Sequence, residues 1–250
     1  MGGLREIYGR VLPFALAMPL VLAIPLCAEL AQHVVEVQLG MYAVGSELTA
    51  EAERTRMVFG GAKVLAIFVV LLFALRYWAF EGDVRRAATP TVSMLKGLGI
   101  VMLVQIGGEL ILLGIGRSLA MTLGPDAGRG AVAALTVGPI LLWLFVANLL
   151  LPWFVGLLTE DRTMSLRRSV DGIRGRMWAT FALLLGAYLP PMVVHYALGY
   201  GAMGRSGAIL WAMLVVDSIV VALIAVILAS AYFTIYRRGR DRARPVTATP

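Results

Sequence analysis

The sequence predicts an all-α, polytopic membrane protein with six transmembrane helices. Composition is the first reason: 60% of the 250 residues are hydrophobic and 15% are charged, where a soluble domain carries roughly a quarter. Mean hydropathy is +0.84. The second reason is the grouping of the apolar residues into six runs near the ~20 residues a helix needs to cross a bilayer. The third is the uneven placing of Arg and Lys between those runs. A net charge of +7 and a pI near 10 would suggest nucleic acid in a soluble chain. Here the arginines sit between apolar runs, so anionic lipid headgroups are the expected partner and nucleic acid is not.

The first run begins near Val11 and continues through Leu30 toward Leu39. Arg5 and Arg10 precede it, as in a signal peptide, but Leu26-Cys27-Ala28 makes a poor small-x-small cleavage site, so the helix is expected to be retained. The second run is Lys63–Trp78 with its flanks, the third Leu98–Leu119 and the fourth Val132–Leu158. The fifth is Met177–Leu198 and the sixth Ala208–Tyr236. Pro13, Pro19, Pro25, Pro139, Pro190 and Pro191 fall within runs and invite kinks. The connections are short; the longest is read as Gly40–Ala62, with Glu47, Glu51 and Glu53. The expected organisation is a six-helix domain over 1–239 and a basic, disordered tail over 240–250. The lone Cys27 permits no disulfide within the chain.

Counting Arg and Lys by connection puts 16 of the 22 on one side and 6 on the other. The richer side holds both termini and the stretch Thr159–Arg176, so it is expected to be cytoplasmic, with the chain in a bacterial inner membrane. Thr159–Arg176 is the most basic internal segment. Leu166, Val170, Ile173 and Met177 recur at i, i+4, i+7, i+11, with Arg167, Arg168 and Arg174 opposite. That pattern predicts a short basic interfacial helix between the fourth and fifth spans, its arginines on headgroups. Arg76, at the inner end of the second span, is expected to snorkel to the headgroups.

Ionisable residues within apolar runs are functional hypotheses, because each is costly unless paired or wetted. Glu109 and Asp217 are both reckoned near the midplane of the third and sixth spans, with Gln105 and Asn148 near them. They are read as a polar midplane site for a substrate or a proton. Glu29, His33 and Glu36 recur at i, i+4, i+7, and with His195 they offer the imidazole and carboxylate groups that suit zinc or a proton. With a first span starting at Val11, however, the hydrocarbon ends near Leu30. His33 and Glu36 are then expected in water, and neither metal nor cofactor is expected. Gly199–Gly204 spells GxGxxG outside any strand-to-helix context and is read as a turn. HExxH, GxSxG and Walker patterns do not occur in the sequence, and no catalytic role is expected.

The run Leu150–Tyr188 resembles the segment between helices four and five of YciC-like six-helix bacterial inner-membrane proteins. The same segment occurs in the membrane domain beside some glycerophosphodiester phosphodiesterases. Pro152, the acidic turn Glu160-Asp161, Arg168-Ser169 and Gly175 carry the likeness, with Val170 where a tryptophan is expected. The resemblance implies the six-helix plan but not phosphodiester hydrolysis. The expected function is transport or accessory handling of a small molecule or lipid through the midplane site. The alternative is a membrane scaffold that binds headgroups or a protein partner through its basic cytoplasmic face.

Overall fold

Helices are the only regular elements among the residues described by the computed structural model, which are 2–46, 48–122 and 128–243. In chain order they are α1 (Gly2–Gly9), α2 (Val11–Ala17), α3 (Pro19–Gln38), α4 (Ala50–Ala79) and α5 (Val84–Ala88), then α6 (Val92–Thr122), α7 (Arg129–Thr159), α8 (Leu166–Arg174), α9 (Met177–Ala202) and α10 (Gly207–Ala243). Six are long and apolar enough to cross a membrane: α3, α4, α6, α7 from Val137, α9, and α10 to Arg242. The chain divides into two units, Met1–Thr89 with Leu183–Thr234, and Pro90–Ala182 with Ile235–Pro250.

In the first unit the first crossing starts later than the sequence suggests. Pro19 has no N–H to give, and its ring clashes with the carbonyl four residues back, so α2 cannot run through it. Met18 leaves helical space at φ −132°, ψ 57°, and a new helix starts with Pro19 in its first turn. The helix long and apolar enough to cross is therefore Pro19–Gln38, and His33 and Glu36 fall inside it. The next helix also starts earlier than expected. Thr49 caps α4 by accepting from the Ala52 N–H at 3.2 Å, and Glu51 and Glu53 favour its positive end. Much of the expected Gly40–Ala62 connection is thus helix, while Glu47 lies outside the described residues.

The far end of this unit is held by polar contacts to main chain. Tyr8 donates its hydroxyl to the Ala187 carbonyl, and burial pushes its phenol above the ordinary range. Ser230 donates to the Ile7 carbonyl at 2.9 Å. Phe14, Tyr77, Trp78 and Phe233 stack edge-on or tilted around them. Arg76 does not snorkel. It is 2% exposed and donates to the carbonyls of Arg86, Ala87 and Thr89, satisfying the last turn of α5. Five donors in a rigid fork suit this better than water would.

In the second unit α6 and α7 form a close pair. A Cβ on Gly97 would stand 2.7 Å from the Leu157 carbonyl oxygen, so the contact needs glycine. Pro152 lies inside α7 and has no N–H to give its ladder. Beside it, the Ser169 hydroxyl accepts from the Trp153 N–H at 3.1 Å and donates to the Leu149 carbonyl at 2.6 Å. One side chain thereby bridges a donor and an acceptor that a regular helix would pair directly. The short helix α8 is capped by Ser165; its buried residues are Ser169, Gly172 and Ile173, while Leu166, expected on the inward face, is exposed. The inward face is thus rotated toward the small residues, which allow close approach: Gly172 meets the Gly239 carbonyl. Arg167, Arg168 and Arg174 are exposed. Asp161 follows α7. Burial raises its carboxyl, but hydrogen bonds from Thr163 and Tyr236, with Arg240 beside it, outweigh burial and hold it below the usual range. The helix α10 continues past Arg240, where the tail was expected to start, to Ala243; residues 244–250 lie outside the described set.

Candidate functional site

Glu29, His33 and Glu36 share one face of α3, as their spacing requires. That face is turned inward: the three are 1%, 4% and 3% exposed. The expectation that His33 and Glu36 stand in water is corrected by this burial, in a helix, Pro19–Gln38, that is long and apolar enough to cross a membrane. The helix α4 returns alongside with Arg56 and Lys63. Arg56 Nε lies 3.1 Å from Glu36 Oε1, and Lys63 Nζ lies 2.9 Å from Glu29 Oε2. The latter is a close ion pair without the directionality of a hydrogen bond.

His33 is the hub. Its Nδ1 lies 3.1 Å from Glu36 Oε2 and 3.0 Å from the Tyr42 hydroxyl. Its Nε2 lies 3.0 Å from Asp217 Oδ2 and 3.5 Å from Glu29 Oε1. Asp217, on α10, is 1% exposed, and its other oxygen meets His195 Nδ1 of α9 at 2.7 Å. Gln32 donates to Glu36 Oε1, while its own Oε1 is buried without a partner. Tyr42 donates to Glu36 Oε2 at 2.9 Å. Burial, then the Glu36 charge, push its phenol far above the ordinary range, so it serves only in its protonated form. The Tyr42 main chain is fixed as well. Its carbonyl accepts from the Gly204 N–H at 2.8 Å, in a turn where Gly204 takes φ +72°. The GxGxxG stretch is accordingly the last turn of α9 plus this tether.

These side chains line a cavity of about 180 Å³, together with Tyr196 and Tyr200. That is room for several waters, an ion or a small solute. Three carboxylates face two fixed cations and two imidazoles, so the net charge of the cavity depends on the histidines. Glu29, His33 and Asp217 each present a ligand atom within 4.8 Å of the others.

Of the expected midplane residues Asp217 belongs to this cluster, while Glu109, Gln105 and Asn148 are not among the residues lining its cavity. Asp217 is buried as expected, but its two oxygens are taken by His33 and His195. Glu109, on α6 in the second unit, is exposed, the opposite of what a buried carboxyl pair requires, and Gln105 is half-buried. Asn148 donates to the Met177 carbonyl and to Thr180, joining α7 to the start of α9. Tyr42, Arg56 and Lys63 were not assigned to any site from the sequence. Comparison of the chain with family models, with curated proteins and with solved structures finds no match.

Proposed function

We propose that this chain is a multi-pass bacterial inner-membrane protein, both termini cytoplasmic, that carries a small polar solute or ion through the α3–α4–α9–α10 cavity. One observation carries the reading: Asp217, in a membrane-spanning helix, is buried and shared between His33 and His195. Ionisable groups at such positions are costly and mark solute or proton paths. The cavity has room for a small solute or an ion. The basic excess on one side supports the orientation. The exposed arginines of α8 are read as headgroup contacts at the cytoplasmic surface. Placement among YciC-like proteins is kept as part of this proposal and rests on the sequence pattern of Pro152, Glu160-Asp161, Arg168-Ser169 and Gly175.

The test is flux. Purified protein in liposomes containing a pH-sensitive dye is given a pH gradient and offered amino acids, organic cations or small organic anions in turn. The expected result is a solute-dependent pH change that is lost in Asp217→Asn. Flux absent with every solute, or unchanged in Asp217→Asn, would move the chain to the scaffold reading.

A further inference from the structure

We infer that the cluster binds a divalent transition-metal ion of the zinc class, with His33 Nε2, Asp217 Oδ2 and Glu29 Oε1 as ligands. This rests on the same cavity as the proposed function but not on transport. Geometry carries it. Ligands at 2.0–2.1 Å on a tetrahedral ion stand about 3.3 Å apart. His33 Nε2 stands 3.0 Å from Asp217 Oδ2 and 3.5 Å from Glu29 Oε1, which bracket that edge. All three ligand atoms lie within 4.8 Å of one another.

The surroundings fit as well. A metal-bound histidine hands its other ring N–H to a carboxylate, and His33 Nδ1 faces Glu36 Oε2 at 3.1 Å. With that proton on Nδ1, the Nε2 lone pair points at two carboxylate oxygens. A bound cation would stand between them, in the place that a proton on Nε2 otherwise fills. Asp217, the second ligand, is steadied by His195 through its other oxygen. Gln32 contributes a buried carbonyl oxygen without a partner, lining the same cavity. Two carboxylates and one imidazole leave a fourth position open, the pattern of a working rather than a structural zinc site. Mixed imidazole and carboxylate ligands suit Zn²⁺, Co²⁺ or Mn²⁺ and exclude the softer thiolate-seeking ions.

Lys63 is the competing cation. Its ammonium holds Glu29 Oε2 and is 21% exposed. It can swing outward when an ion arrives. Lys63 is therefore expected to weaken binding, and a variant without it should bind tighter.

The experiment uses the full chain, without a histidine tag and with Cys27→Ser, purified in detergent and stripped with chelator. Titration with Zn²⁺ is followed by calorimetry and by metal content after gel filtration. Titration with Co²⁺ is followed by visible absorption, which reports four-coordinate geometry. One metal per chain is expected, with intense Co²⁺ bands. Loss of binding is expected in His33→Gln and Asp217→Asn, a fall of about 10- to 100-fold in Glu36→Gln, and tighter binding in Lys63→Met. Should the first two fail to fold, the Glu36 and Lys63 variants and the wild-type Co²⁺ spectrum decide. Absent or six-coordinate Co²⁺ in the wild type, or equal affinity across the variants, overturns the inference. Solute flux without stoichiometric metal leaves the transport reading standing and removes the metal. Metal binding without flux does the reverse.

Discussion

Replacing Ser169 by Ala isolates the coupling between the helix around Pro152 and α8. Ser169 is fully buried, and its hydroxyl serves the Trp153 N–H and the Leu149 carbonyl at once. Each buried backbone group left without a partner costs about 1–3 kcal/mol. If both are stranded the loss is about 2–6 kcal/mol, less whatever the helix recovers by closing the gap. We expect the lower part of that range, about 2–3 kcal/mol, because the two groups are natural i to i−4 partners. The cost should depend on the proline. In a Pro152→Ala background α7 can pair the two groups itself, so removing the hydroxyl should cost under about 1 kcal/mol. The coupling energy from the four variants is then about 1.5–2 kcal/mol. It can be measured by thermal or denaturant unfolding in detergent, where about 2 kcal/mol corresponds to a shift of roughly 4–8 °C in a chain of this size. An equal cost of Ser169→Ala in both backgrounds would refute the bridging argument, whatever its absolute size.

Arg76→Met should destabilise the first unit by about 3–5 kcal/mol by stranding the α5 carbonyls, and Arg76→Lys should recover only part, because an ammonium cannot fork to three acceptors; unfolding midpoints check both. Asp161 is held below the ordinary carboxylate range, so its contribution is full above about pH 4 and is lost as pH falls through its folded value. Stability measured between about pH 6 and pH 3 should therefore fall less steeply in Asp161→Asn than in the wild type. Cysteines placed at Ser46 and Arg205, with Cys27→Ser, should react with a membrane-impermeant reagent in intact cells; reaction only after lysis would reverse the proposed orientation.

The helical plan was legible because length and apolarity determine which segments can cross a bilayer, and all six runs emerged as such helices. The site was legible only in part. A first span counted from Val11 puts His33 and Glu36 in water, whereas the break at Met18 gives a helix, Pro19–Gln38, that contains both. One available signal went unread. Glu29 and Glu36 are seven residues apart, as are Arg56 and Lys63, and the two pairs are symmetric about Ser46. An antiparallel hairpin turning there must bring Glu36 to Arg56 and Glu29 to Lys63, as observed. Tyr42, by contrast, reaches the cluster through the Gly204 tether, a long-range contact with no local signature. The true inner face of α8 was missed because apolar periodicity ignores serine and glycine, and here those small residues allow the closest approach.

The symmetric charge pairs have a consequence for how the chain enters the membrane. A central charge costs about 2.5–3.5 kcal/mol on insertion of a single helix, and α3 carries Glu29, His33 and Glu36 in 20 residues. Alone, it is a poor candidate to leave the translocation machinery for lipid. Paired with α4 it is a different object, because Lys63 and Arg56 cancel both glutamates before either meets hydrocarbon. The two helices are thus suited to partition as one hairpin, after α4 has been synthesised. Loss of Lys63 or Arg56 would then be felt first during biogenesis, as a lower yield of integrated chain, with the chains that do integrate folding as before.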